Sequence, residues 1–195
     1  MRTERDGRAA RAVWGLTRHS KDKVTVEPVL HYIKGEGKHM TEASARMIPV
    51  GTDRFGERRG LGISTIDFKL SPQDAEGLFI LENTFRAKGG PAKHLHHSQD
   101  EWFYCLEGKF LFEVGRQTYR LEPGDSLLAP MRVAHVWAHV GEGIGRILVA
   151  FSPAGRMEAF FREVTKANSM PAQDPELWQS YGMELIGPPM SVTQG

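Results

Sequence analysis

The sequence predicts an all-β domain, an antiparallel sandwich or barrel, followed by a short C-terminal helical segment. Two observations carry this reading. Between Leu61 and Pro153, short β-prone runs follow one another at close spacing, bounded by Gly108, Gly115, Pro123-Gly124, Pro130 and Gly141. Nowhere in that span do strand and helix patterns alternate, as a parallel α/β sheet requires.

Residues 1–39 read as a flexible or arm-like extension. The first 23 or so are polar and charged, and VTVEPVLHYI (Val24 to Ile33) is β-prone but interrupted by Pro28. The barrel is expected over residues 40–155. LGISTIDFKL and LFILENTFRA flank the turn-rich SPQDAEG, and EWFYCLEG, KFLFEVG, QTYRLEPGD, SLLAP, AHVWAHV and GRILVAFSP follow. Residues 156–195 are expected to form a helical segment and a tail. MEAFFREVTKA puts Met157, Phe160, Phe161 and Val164 on one side of a helix. QDPELWQSYGMEL adds a turn or two, with Pro175 near its start and Trp178 as an anchor, and GPPMSVTQG reads as a tail. With no internal repeat, the chain holds one barrel and not two.

A length of 195 residues suits one well-cored domain with extensions. The formal net charge of +1 attracts no nucleic acid. Arg2, Arg5, Arg8, Arg11 and Arg18 are interspersed with Glu4 and Asp6 and have no aromatic platform beyond Trp14, so they read as a solvated tail. No run approaches the roughly 20 apolar residues of a membrane span, and the N-terminus lacks the pattern of a signal peptide. One cysteine, Cys105, fits a reducing compartment, and the cytoplasm is the expected location.

Five of the eight histidines lie in two short stretches, HLHHSQDEWFYCLEG and HVWAH. Alternate residues of a strand share a face, so His94 and His96 project together and His97 away. Glu101 follows after a short turn, and His135 begins another strand. Three imidazoles and a carboxylate form a mixed N/O set suited to a divalent transition metal with open positions. The alternative is a hydrogen-bonded polar cluster, which needs other partners to offset its desolvation.

The segment Gly90-Pro-Ala-Lys-His94-Leu-His96-His97-Ser-Gln-Asp-Glu101, with Gly108 beyond it, resembles the first motif of the cupin superfamily. Pro123-Gly124-Asp125, then Pro130 and His135, resembles the second. The resemblance spans Leu61 to Pro153, and FSPAGRMEAFFREV is similar to the segment after the barrel in single-domain cupins of the quercetin-dioxygenase-like type. It implies a cupin antiparallel β-barrel (jelly roll), with metal and substrate inside one open end. His94, His96, Glu101 and His135 would be the ligands of Fe, Mn, Ni, Cu or Zn. His139 departs from the family pattern, which commonly carries asparagine there. It shares a face with His135 and Trp137 and is either an acid/base group near the substrate or a core residue bonded to the backbone.

Phe103, Phe112 and Trp137, with Phe85, are expected near the pocket, although ordinary barrel core is the competing reading for Phe112. An aromatic rim favours a small organic substrate, aromatic or enolic, over a sugar phosphate. Family precedent is a metal-dependent dioxygenase or related oxidoreductase, with Glu101 both ligand and proton carrier. An isomerase, decarboxylase or hydrolase on the same centre is the first alternative. A noncatalytic metal- or ligand-binding module is the second, since fold alone does not settle chemistry. Such barrels commonly pair through their outer sheets, and Val24 to Ile33 could add to a partner's edge, so a homodimer is expected. On that expectation, removing residues 1–39 leaves a monomer by sedimentation, and a dimer that survives the truncation shows that the arm does not hold the oligomer together.

Overall fold

The computed structural model describes residues 45–192. The expectations for the N-terminal arm, including its β-prone run and its part in a dimer, lie outside those residues. Eleven strands and two helices follow in order. The strands are β1 (Arg59–Leu61), β2 (Ser64–Leu70), β3 (Phe79–Phe85), β4 (Ala92–His96), β5 (Asp100–Glu107), β6 (Phe110–Val114), β7 (Gln117–Leu121), β8 (Ser126–Ala129), β9 (His135–His139), β10 (Gly145–Ser152) and β11 (Met183–Pro189). The helices are α1 (Met157–Val164) and α2 (Pro175–Ser180), between β10 and β11.

Two antiparallel sheets face one another, one of six strands in the order β1-β2-β3-β10-β5-β8 and one of five in the order β11-β4-β9-β6-β7. Consecutive strands switch sheets repeatedly, as in a jelly roll. The expected all-β antiparallel barrel is therefore the observed one. Strand parity builds its core. In β5, Glu101, Phe103 and Cys105 are buried while Trp102 and Tyr104 stack on the outer face, with ring centroids 5.8 Å apart. In β6, Phe110, Phe112 and Val114 point inward. Each inner face meets the other sheet with a continuous apolar surface, which supplies the main driving force for closure.

Segment 45–58 is tied down by a buried charge pair. Asp53 accepts hydrogen bonds from the backbone of Phe55, Glu57 and Phe68 and from Arg59, whose guanidinium lies 3.9 Å from the Phe68 ring centroid. Burial alone would raise the Asp53 carboxyl, but Arg59 and the three backbone N–H groups hold it below the usual carboxylate range.

The C-terminal segment differs from expectation at its end. Met183–Pro189, read as helix and tail, is a strand that lies beside β4, with Met183 opposite His96 and Leu185 opposite His94. Pro188 and Pro189 are tolerated because β11 is an edge strand, and its register shifts on either side of Gly187. Helix α1 buries Met157, Phe160 and Val164 as its periodicity requires. Asp174 caps α2 by accepting from the backbone of Glu176 and Leu177, with Pro175 at its first turn. The loop between the helices seats Asn168 against β1, where a Cβ on Gly60 would fall 1.6 Å from Asn168 Oδ1. Among the described residues, no helix is long and apolar enough to cross a membrane.

Trp178 joins this segment to the barrel. It is buried, its Nε1 donates to the Ala172 carbonyl at 3.1 Å, and its ring lies 5.3 Å from Phe160 and 5.1 Å from the His94 imidazole. Trp178→Ala is expected to cost about 3–5 kcal/mol in urea unfolding of the full chain. A loss below about 1 kcal/mol would show that other contacts hold the segment.

Candidate metal centre

Pairing between β4 and β9 sets His94 directly opposite His135, with ring centroids 4.5 Å apart. His96, two residues further along β4, stacks against His135 at 5.7 Å and an interplanar angle of 4°. Glu101 comes from the opposing sheet, on β5, where Phe151 and Ala129 flank it in register. The five-stranded sheet thus supplies three imidazoles and the six-stranded sheet the carboxylate, all four side chains buried. His97 points outward and lies 3.8 Å from Glu184, as strand parity requires.

The donor atoms converge on Glu101 Oε2. His135 Nε2 lies 2.9 Å from it, His96 Nε2 3.1 Å and His94 Nε2 3.9 Å, and all four donors fall within 4.8 Å of one another. Donors about 2.1 Å from a common ion would lie roughly 3–4 Å apart, so the set fits a single transition-metal ion. Two rings are already held in the required tautomer. Nδ1 of His94 donates to the Ala92 carbonyl at 2.7 Å, and Nδ1 of His135 to the Val133 carbonyl at 3.1 Å. A carbonyl only accepts, so these nitrogens carry the protons and a neutral ring presents its Nε2 lone pair inward. Both ring nitrogens of His96 are buried without a hydrogen-bond partner. An ion would give its Nε2 one.

The electrostatics agree. Burial, then the charges of His135 and His96, push His94 down to about 3, so it is a neutral ligand at physiological pH. Burial alone would raise the Glu101 carboxyl, but the hydrogen bond from His135 and the His96 imidazole 3.1 Å away outweigh it and hold the carboxyl well below its ordinary range. His135 shows the converse: burial lowers it, and Glu101 raises it further than burial lowers it. Both shifts favour positive charge at the 2.9 Å contact between His135 Nε2 and Glu101 Oε2, the place a cation would also occupy.

His94, His96 and Glu101 reach the wall of a narrow cavity of about 60 Å³, walled by apolar side chains including Phe85, Trp137, Phe151, Phe160 and Trp178. Several expected pocket residues stand elsewhere. Trp137 lines the cavity, but Phe103 and Phe112 do not; both are fully buried and pack 4.8 Å apart, behind Trp137. They belong to the core. His139 also requires correction as an acid/base group of this pocket. It shares the inner face of β9, but four residues place it about 13 Å along the strand from His135. There it packs between Phe85 and Phe110, its Nδ1 3.5 Å from the Ala87 carbonyl. Glycines enclose it so tightly that a Cβ on Gly145 would lie 2.3 Å from its Cδ2. Burial lowers its pKa, and it does not line the cavity.

Sequence reasoning missed Asn83 and the walls from the C-terminal segment, Phe160 and Trp178. Asn83 did leave a signal. Phe79, Leu81, Asn83 and Phe85 alternate inward along β3, and a polar residue interrupts that otherwise apolar face.

Residues 83–151 match the cupin domain family model. This segment is similar to the cupin domain family. A stretch of 57 residues is 37% identical to an uncharacterised protein of Streptomyces coelicolor, covering 29% of this chain and 53% of that protein, so the chain spans about half the length of the curated relative it matches. Among solved structures, KdgF from Halomonas sp. is similar over 50% of this chain and 86% of its own, at 23% identity and a TM-score of 0.44. An RmlC-like cupin from Shewanella frigidimarina is similar over 50% of this chain and 84% of its own, at 26% identity and a TM-score of 0.42.

The four buried donors could hold a metal, and a mixed set of imidazoles and a carboxylate suits a transition ion better than calcium or magnesium, which favour oxygen ligands. Full-chain protein purified without added metal is expected to carry close to one equivalent by elemental analysis. His96→Ala and Glu101→Ala should each lower occupancy at least about tenfold. Full metal content in both variants would overturn the ligand assignment.

Proposed function

We propose that the chain is a metal-dependent oxidoreductase, a dioxygenase of the quercetin-dioxygenase-like type, acting on a small organic substrate. The observation that carries this reading is the donor set: three imidazoles and one carboxylate, of which His94, His96 and Glu101 reach the wall of an apolar cavity. When bound, the metal supplies Lewis acidity and, for a redox-active ion, electron exchange with dioxygen.

The chain's own residues account for the remainder. His94, His96, Glu101 and His135 hold the ion, and the Ala92 and Val133 carbonyls fix two of the rings. The apolar wall excludes water, which strengthens electrostatic contacts inside and protects an electron-rich substrate from side reactions. Glu101 Oε2, facing His135 Nε2 at 2.9 Å, is the atom at which a proton passes to and from an enol or hydroxyl of the substrate.

An isomerase, decarboxylase or hydrolase working on the same centre needs acid/base groups beside the substrate. Among the described residues, the ionisable side chains on the cavity wall are His94, His96 and Glu101, all members of the donor set, and His139 is not among them. With Glu101 as the one proton carrier among these, the site suits a single proton transfer better than the paired acid and base of an isomerase or hydrolase. The test is oxygen consumption by the metal-loaded full chain over a panel of small enols, catechols and flavonols. Uptake should depend on substrate and fall at least about a hundredfold in His96→Ala. Product formed without oxygen would replace this reading with an isomerase or lyase, and tight binding without turnover would replace it with a binding module.

A further inference from the structure

The cavity has a second polar feature that the metal reading leaves unused. Asn83 and Trp137 both line it, and each carries a buried atom without a hydrogen-bond partner, Asn83 Oδ1 and Trp137 Nε1. Both side chains are more than nine-tenths buried. Unpaired buried polar atoms are costly and uncommon, so two on one cavity point to a ligand that completes them.

Strand register separates this pair from the donor cluster. Phe79, Phe151 and Glu101 share one row across β3, β10 and β5. Asn83 stands four residues beyond Phe79 on β3, about 13 Å along the strand, facing inward beside Phe85. Trp137 lies two residues beyond His135 on β9, with its ring 5.5 Å from Phe85. Leu81 and Val149 line the interval.

Charge differs between the two places. A divalent ion with one carboxylate and neutral imidazoles leaves a net positive charge, which attracts an anionic oxygen ligand. Around Asn83 and Trp137 no lysine or arginine among the described residues lines the cavity, so a second anion there would be buried without a partner among them. A carboxamide oxygen accepts and an indole N–H donates. The neutral group that meets both is a hydroxyl.

We propose that Asn83 and Trp137 form an uncharged recognition subsite for a hydroxyl at the end of the substrate remote from the metal. The substrate class is then a small molecule with one anionic oxygen group for the metal, an apolar middle and a neutral hydroxyl. Dianions and phosphorylated compounds are rejected at the far end. The cavity is narrow, about 60 Å³, which favours a slim, unbranched middle. This inference rests on the metal-dependent reading, and its test separates the two.

Three four-carbon probes, 4-hydroxybutyrate, butyrate and succinate, differ only in the far group. Their binding to the cobalt(II)-loaded full chain is read by calorimetry and by the visible spectrum of the metal. Wild type should take 4-hydroxybutyrate about tenfold more tightly than butyrate, and succinate more weakly than either. Asn83→Leu is close in volume, and Trp137→Phe keeps an aromatic wall while removing the N–H. In each the preference for the hydroxyl should fall to within about threefold, with metal content unchanged. Equal affinities in wild type, no binding of any probe, or a preference intact in both variants overturns the subsite. Full metal content with no preference overturns it alone, whereas a protein that takes up no metal overturns the metal reading and the subsite together.

Discussion

Glu101 carries a negative charge into a barrel whose interior is otherwise mostly apolar. A carboxylate withdrawn from water in this way loses several kcal/mol of hydration, which other groups must replace. Here the replacement comes from the imidazoles of His96 and His135, at 3.1 and 2.9 Å. Because Glu101 belongs to one sheet and the histidines to the other, this polar contact also fixes how the sheets meet. Register does the rest. His94 faces the cluster because it pairs with His135, and Glu101 because its row on β5 matches Phe151 on β10. A slip of one residue in either pairing would turn a ligand outward and leave the opposing charge buried alone.

The same constraint explains why the chain returns to the barrel after its two helices. Without β11, the strand that carries His94 and His96 would be an edge, free to twist and exposed to pairing with other chains. β11 covers that edge, with Met183 and Leu185 opposite the two histidines. Helix α2 then lays Trp178 against the His94 ring. Ring orientation at the centre is thus set partly by residues more than eighty positions downstream, through packing and not through hydrogen bonds. These contacts also narrow the cavity, since Phe160 and Trp178 complete its wall.

Direction was legible in the sequence; depth was not. Alternation in HLHH and EWFYC separates the inward His94, His96, Glu101, Phe103 and Cys105 from the outward His97 and Trp102, and the structure has each on its expected side. Parity cannot say how far along a strand a side chain lies from the centre. His135, Trp137 and His139 share one face, yet they reach the cluster, the cavity wall and a glycine-walled niche respectively. Phe112, open between pocket and core in the sequence, lies in the core for the same reason. β11 escaped because Gly187, Pro188 and Pro189 argue locally against a strand, and only its position at the edge of the sheet removes the objection. Phe160 and Trp178 read as helix anchors, which they are. That the surface they cover is the cavity follows from tertiary packing alone.

Polar atoms on the cavity wall separate what stabilises this fold from what its site requires. An apolar residue in place of Asn83 would complete the inward face of β3 and remove an unpaired oxygen, a change that by itself favours the folded state. His96, with both ring nitrogens lacking partners, presents the same contradiction beside the centre. His94 and His135 do not, since backbone carbonyls satisfy their outer nitrogens. The protein therefore carries unmet hydrogen-bonding capacity at the donor cluster and again further along one cavity, with apolar wall between. A metal ion relieves the first and cannot reach the second. On the proposed reading the substrate relieves the second: it extends from the first through an apolar passage and ends in a neutral polar group, so the wall restricts the substrate independently of the metal's identity.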